Sequence, residues 1–242
     1  MRVLVFSDVH GNLMALEAVL EAAGPVDAYW CLGDLVGYGP DPEACVQRVR
    51  TLPNLICLLG NHDAAEVGLL DMRFFNAEAR RSLQWTRQQL SPASLHFLAG
   101  LPLTHTVAER VTLVHGSPRQ PLEEYLLTAH VARAAFDRLQ TPWAFVGHTH
   151  QPVAFFNRWG WVQARVPKAG DTLTLEGRHV IVNPGSVGQP RDGDPRAAFA
   201  IWDTEAATWT WHRAAYDVAA VQERMAGLGL PAFHIYRLAL GR

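Results

Sequence analysis

Five short apolar runs in this chain each stop at a small cluster of glycine, aspartate, asparagine or histidine. Val3–Phe6 runs into Ser7-Asp8-Val9-His10, Tyr29–Leu32 into Gly33-Asp34, and Ile56–Leu59 into Gly60-Asn61-His62-Asp63. Further on, Thr112–Val114 runs into His115-Gly116-Ser117, and Ala144–Val146 into Gly147-His148-Thr149-His150. Apolar runs this short, bounded by turn residues, read as buried strands. Between the first of them lies helical spacing: Leu13–Ala23, with Asn12 placed to cap it and Gly24-Pro25 to end it, then Glu43–Arg50. Strands that alternate with helices pair in parallel through right-handed crossovers, which puts their C-terminal ends on one edge of the sheet. Ligands of open α/β sheets bind at that edge. The five clusters are therefore expected to converge, although over a hundred residues separate the first from the last.

The rest of the chain extends the pattern and then changes it. Ala28–Leu32 and Leu55–Leu59 are predicted strands, Ala77–Leu90 a helix capped by Asn76, and Ser91-Pro92 opens another helix closed by Gly100. Leu103–Val107 and Val111–His115 read as a hairpin turned at Ala108–Arg110. A helix follows at Ala129–Leu139, capped by Thr128, and then a strand at Trp143–Gly147. Past residue 150 the pattern is short strands with glycine turns: Val153–Asn157, Trp161–Arg165, Thr172–Leu175, His179–Val182, Phe199–Asp203 and Thr208–Arg213. A helix at Val218–Gly227 and a C-terminal tail complete the chain. The order implies an α/β chain of two packed sheets with helices outside. No linker marks the change near residue 150, so one domain is expected over residues 1–242.

Composition narrows the function. Net charge is -2, which gives no broad basic surface and disfavours a protein that coats nucleic acid. No basic stripe carries stacking aromatics, so a nuclease is disfavoured too. A small anionic partner stays open, because a metal centre supplies positive charge locally. The three cysteines, Cys31, Cys45 and Cys57, form no CxxC pair and suit reduced thiols in a cytoplasm. No run approaches the ~18 apolar residues of a membrane span. Val3–Phe6 is too short for a signal peptide. A cytoplasmic protein without a membrane partner is expected.

Each cluster alone has an ordinary explanation. Aspartate after a strand often caps the next helix, Gly-Asp is often a turn, and a lone histidine is usually a satisfied one. Together the clusters supply Asp8, His10, Asp34, Asn61, His115, His148 and His150 as donors, with His62 beside them. Mixed imidazole and carboxylate donors suit Mn, Fe, Zn, Co or Ni. Seven donors exceed the need of one tetrahedral ion but suit two ions that share a carboxylate. Asp34, framed by Gly33 and Gly37, is the natural shared ligand.

This set, in this order, resembles the calcineurin-like metallophosphoesterase family across residues 3–152. The stretch Asn183-Pro-Gly-Ser-Val187, with Pro190-Arg191 beyond it, is similar to the small bacterial single-domain branch. The resemblance implies a four-layer αββα sandwich with two mixed sheets. It implies two divalent metal ions, Mn²⁺ the favoured one. One would be held by Asp8, His10, Asp34 and His150, the other by Asp34, Asn61, His115 and His148. His62 would be the catalytic residue, as proton donor or charge stabiliser. The implied reaction is in-line attack on phosphorus by a metal-bridging hydroxide. Two divalent ions, two aspartates and one hydroxide sum to about +1, which favours a small anionic phosphate ester.

The chain departs from the protein phosphatase branch of that family. That branch has an Asp-Arg-Gly segment soon after its Gly-Asp, whereas here Gly33-Asp34 continues Leu-Val-Gly37-Tyr38-Gly39. The arginine that would grip a monoester phosphate is absent there, and the reading leans toward a phosphodiesterase. A phosphomonoesterase, a nucleotide pyrophosphohydrolase, and a non-catalytic metal-binding scaffold of the kind found in retromer are the alternatives. Parallel assays on a diester, a monoester and a dinucleoside polyphosphate separate them. Tyr38, Arg73, Ser117, Arg119 and Arg191 are candidate substrate-binding residues. Phe74 and Phe75 read first as core, as do Trp159 and Trp161 around Gly160. If exposed, the tryptophan pair would be a place for homo-oligomer contacts. The remaining histidines, His234 among them, match no cluster and receive no function.

Overall fold

The computed structural model describes residues 1–242. In chain order the first half contains β1 (Arg2–Phe6), α1 (Leu13–Ala23), β2 (Ala28–Cys31), α2 (Pro42–Arg50), β3 (Leu55–Cys57), α3 (Asn61–Glu66), α4 (Ala77–Gln89), α5 (Pro92–Ala99), β4 (Thr104–Val107) and β5 (Val111–Val114). The second half contains α6 (Ala129–Phe136), β6 (Trp143–Phe145), β7 (Val153–Arg158), β8 (Trp161–Arg165), β9 (Thr172–Thr174), β10 (His179–Asn183), β11 (Ala197–Asp203), β12 (Thr208–Ala214), α7 (Val218–Gly227) and α8 (Ala232–Leu240). The strands form two six-stranded sheets, ordered β3-β2-β1-β11-β12-β9 and β4-β5-β6-β10-β7-β8. Both are mixed. Strands β1, β2 and β3 pair in parallel, as do β5, β6 and β10, and the other pairings are antiparallel.

The β1 sequence explains its own place. Val3 and Val5 point between the sheets, where they meet Trp30, Phe145, Val182 and Trp209. Leu4 and Phe6 point the other way, onto Leu16 and Val19 of α1 and Val46 and Val49 of α2. A strand buried on both faces reads as an unbroken apolar run, and each fully buried side chain of this size contributes about 1.5–3 kcal/mol. On the far side, α6 lays Ala132, Ala135 and Phe136 over Val114, Val146 and Phe155 of the second sheet. The result is the expected αββα stack of two mixed sheets flanked by helices. No helix is long and apolar enough to cross a membrane.

Four details depart from the sequence reading. Residues 61–66 form a helix, α3, on which Asp63 accepts from the Gly60 N–H as a capping-box residue. The C-terminal tail is mostly helix α8, started after Pro231 and ended by Gly241 in the left-handed conformation. Trp159 and Trp161 are not core: they are 99% and 81% exposed. They sit at the tip and start of the edge strand β8, where the second sheet has no further strand to cover them. Phe74 is likewise 79% exposed, on a single 3-10 turn (Met72–Phe74), while Phe75 is half-buried with its edge on His62.

Candidate metal centre

The parallel strands end on one side of the sandwich, and the loops that leave them are tied together by backbone hydrogen bonds. The Asp8 N–H donates to Gly33 O at 3.0 Å, the His10 N–H to Asp34 O at 3.0 Å, and the Gly147 N–H to His115 O at 2.8 Å. Five of the seven expected donors have positive φ: Asp8 (56°), His10 (49°), Asp34 (56°), His148 (64°) and His150 (59°). Non-glycine residues rarely sit there, and such strain concentrates at functional sites. The loops hold their side chains inward at a local conformational cost.

The seven donors meet. Asp8 Oδ1 lies 3.4 Å from His150 Nε2 and 3.9 Å from His10 Nε2. Asp34 Oδ2 lies 3.6 Å from His10 Nε2 and 3.4 Å from His115 Nε2. Asn61 Oδ1 is 3.1 Å from His115 Nε2. The His148 ring is 5.0 Å from the His115 ring, and one ligating atom of each lies within 4.8 Å of Asp34. Asp34 thus belongs to both halves, one with His10 and the other with His115 and His148.

The arrangement fits cations and little else. Nδ1–H of His10 donates to the Val36 carbonyl (3.0 Å), that of His115 to Leu32 (2.9 Å) and that of His150 to Gln189 (2.6 Å). A carbonyl only accepts, so each Nδ1 carries the proton, and the Nε2 atoms of His10 and His150 turn lone pairs inward. His10 and His150 hold their Nε2 atoms 3.0 Å apart. Asp8 Oδ1, Asp34 Oδ2 and His148 Nε2 are buried with no hydrogen-bond partner. Lone pairs crowded in this way repel unless positive charge lies among them.

The charges on the buried groups point the same way. Burial, with Asp34 adding to it, pushes Asp8 up to about 7. Burial acts the same way on Asp34, but His115, His62 and His10 outweigh it and hold the carboxyl below the usual range. Burial alone would lower His115; Asp34 reverses this and raises it to about 9. Burial dominates at His148, which falls to about 3, and at His62, which falls to about 4. Bound divalent ions would replace these mutual adjustments with fixed positive charge.

Glycines and a second set of polar residues shape the walls. A Cβ on Gly60 would lie 2.1 Å from Asp34 Oδ1 and 2.2 Å from its backbone nitrogen. Gly60→Ala is therefore expected to displace Asp34 and destabilise the protein by about 1–3 kcal/mol; a melting curve together with metal content would show it. Asp63 accepts from Leu35, Val36 and Gly60 N–H groups and orders the loop that carries Asp34. Asn183 donates to Gly147 O and Ser186 to Asp8 O, so Asn183-Pro-Gly-Ser186 braces the loops from beneath.

The candidate substrate residues divide. Tyr38 is at the centre, its ring 4.6 Å from that of His10 and 4.4 Å from that of His62. Arg191 is beside it, 5.9 Å from the Tyr38 ring, with its backbone N–H on His150 O. The other three are not gathered to the cleft. Arg73 is exposed and paired with Asp71, while Arg119 and Ser117 both bond to Glu124 and stabilise their own loop. The sequence reading also missed residues. His234 on α8 packs its ring 4.4 Å from Tyr38, and Arg237 shares the Gln189 side-chain oxygen with Arg191 (3.0 and 2.9 Å). Pro231 and Gly241, which bracket α8, were its only sequence signal. A cleft of about 230 Å³ opens onto Asn61, His62 and His148, walled by Tyr38, Phe75 and Tyr125.

A family model described as the calcineurin-like phosphoesterase superfamily domain matches residues 1–207. The chain belongs to that superfamily. As a calcineurin-like phosphoesterase it is a phosphoric ester hydrolase, of a family whose members use two metal ions. The crystal structure of a metallophosphoesterase from Sphaerobacter thermophilus is 45% identical, covers 100% of both chains and superposes with a TM-score of 0.92. An uncharacterised protein of Methanocaldococcus jannaschii is 34% identical over 99% of this chain and 98% of its own. The Escherichia coli phosphodiesterase YfcE is 25% identical over 85% of this chain and 89% of its own.

Proposed function

We propose that this phosphoesterase is a dimetal phosphodiesterase acting on a small anionic ester, with Mn²⁺ the favoured metal, and that residues 1–242 act as one domain. The observation that carries the reading is Asp34 Oδ2, buried and unpartnered between His10 on one side and His115 on the other. Asp8, His10, Asp34 and His150 would hold one ion, and Asp34, Asn61, His115 and His148 the other. When bound, the two ions supply Lewis acidity toward the phosphoryl oxygens and a water acidic enough to attack phosphorus in line at neutral pH.

The chain's own groups do the rest. Asn61 is a neutral donor, so it adds no negative charge against an anionic substrate. His62 stands in the cleft wall as a neutral imidazole at pH 7 and offers a ring proton to the departing oxygen. Arg191 turns positive charge toward the centre from the late loop, and Tyr38 packs the ligand rings in place. Tyr125 and Phe75 make a narrow aromatic mouth suited to an ester carrying an organic group on either side of phosphorus. The three cysteines are buried and free, which fits the reducing cytoplasm proposed for the protein.

The test is a substrate panel on Mn²⁺-loaded protein: bis(4-nitrophenyl) phosphate, 4-nitrophenyl phosphate and diadenosine tetraphosphate. The diester is expected to exceed the monoester in kcat/KM by at least roughly tenfold, about 1.4 kcal/mol of transition-state preference. Chelation should abolish turnover and Mn²⁺ restore it. A reversed ratio would make the protein a monoesterase, and no turnover at full metal occupancy would make it a scaffold.

A further inference from the structure

A large open cleft lies remote from the metal centre. It is a cleft of about 970 Å³ at the opposite ends of the strands, where β6 starts at Trp143 and β10 at His179. Strand β6 runs from Trp143 to Phe145 and His148 follows its far end, so the cleft and the metal centre lie at opposite ends of the strand.

Two arginines, Arg158 and Arg178, line this cleft. Pairing of β7 with β10 ends at Asn157 and His179, and each arginine is the next residue beyond that pair. Like charges gathered at a strand end oppose each other. Arg110, lining the same cleft, has a carboxylate, Glu176 at 2.7 Å, and stacks 4.5 Å over Trp143. Arg158 and Arg178 have no carboxylate within 4.0 Å; Arg178 lies 5.8 Å over the Phe156 ring, and Arg158 has no ion pair. The chain carries 23 acidic and 21 basic residues, so unrelieved positive charge in one cleft is local to it.

Trp159, at the rim, is the second observation. Trp159 and Gly160 form the two-residue β7–β8 turn with φ of 51° and 85°. Such turns favour asparagine or glycine at the first position, because a bulky side chain is strained there. Trp159 gains no burial in return. The chain holds an exposed planar aromatic ring at the rim of a cleft lined by Arg158 and Arg178, a cavity of the size that small ligands occupy.

We propose that this cleft is a second binding site, separate from the metal centre, for a nucleoside phosphate. The phosphates lie between Arg158 and Arg178, the geometry guanidinium groups serve best, and the base stacks on Trp159. The site does not depend on how the metal centre works.

Calorimetry and tryptophan fluorescence on the metal-loaded full chain test this, with three probes: the non-hydrolysable α,β-methylene ADP, inorganic pyrophosphate and adenosine. Saturable binding of the ADP analogue is expected, with weaker binding of pyrophosphate and the weakest of adenosine. In Arg158→Gln/Arg178→Gln the analogue should bind at least about tenfold more weakly, while diester hydrolysis is unchanged. Without ligand this variant should melt no lower than the wild type, since a like-charge pair is gone. Trp159→Ala should remove the fluorescence response. Asp34→Asn should keep the analogue affinity within about twofold. No saturable binding to the wild type, affinity unchanged in the double variant, or affinity lost in Asp34→Asn would each overturn the site. Equal affinity for pyrophosphate and the analogue would overturn the nucleoside assignment.

Discussion

Asp34→Asn is expected to lower kcat on a diester by at least roughly 10³-fold, the scale of losing a principal electrostatic contact at a reacting centre. Asp34 Oδ2 is 3.6 Å from His10 Nε2 and 3.4 Å from His115 Nε2, so it alone reaches both halves of the donor set. Asparagine has the same shape and keeps one acceptor. The His62 backbone N–H, which donates to Asp34 Oδ1 at 2.8 Å, can therefore still be satisfied, and α3 should stay in place. What disappears is one negative charge and the second anionic oxygen. Elemental analysis should then find about one divalent ion per chain where the wild type holds about two. Near pH 7 the metal-free variant should melt lower than the metal-free wild type, because the histidines around Asp34 hold its carboxyl below the usual range, so its charge stabilises the fold there and asparagine removes it. Two tightly held ions and wild-type turnover in Asp34→Asn would end the shared-ligand assignment.

How far the sequence could foresee this site depends on what each feature rests on. The strand ends were legible because hydrophobic runs buried on both faces, such as Val3–Phe6, are short and sharply bounded. The polar residues that stop them are the donors, and parallel pairing then places them on one edge. The positive φ of Asp8, His10 and Asp34 was not legible: only their partners across the gap, Gly33 O and Asp34 O among them, impose it. Helix α3 does not show in the sequence because six residues opening on Gly60 carry too little periodicity to register. Helix α8 was missed because its role is tertiary. It brings Arg237 to Gln189 from 48 residues downstream and His234 onto Tyr38 from about four times as far, with no motif to announce it. The exposed Trp159 and Trp161 misled for the opposite reason. Aromatic residues in an alternating hairpin read as core, and only the sheet order shows that β8 is an edge. Arginines such as Arg73 and Arg119 cannot be placed from sequence, since their reach is long and any nearby carboxylate captures them, as Asp71 and Glu124 do.

His62→Ala is expected to lower kcat by about 10²–10⁴-fold with both metal ions retained. The side chain can be removed without disturbing its neighbours' anchors, since His62 touches Asp34 through its backbone N–H, which alanine keeps. The ring itself packs 4.8 Å from His10, 4.4 Å from Tyr38 and 5.0 Å from Phe75, and its Nδ1 is buried without a partner. One ring nitrogen also lies within 4.8 Å of ligating atoms of His10 and Asp34, so the same geometry would let His62 serve as a metal ligand. Metal content separates the two roles: a ligand's loss empties a site, a proton donor's loss does not. Leaving-group dependence separates the donor from a charge stabiliser. An alkoxide needs a proton as it departs, whereas 4-nitrophenolate leaves well without one. A donor's removal should therefore cost far more on a methyl or nucleoside ester than on a nitrophenyl ester. An equal loss on both would leave His62 stabilising charge on phosphorus and nothing more, and the departing oxygen would then have to take its proton from water.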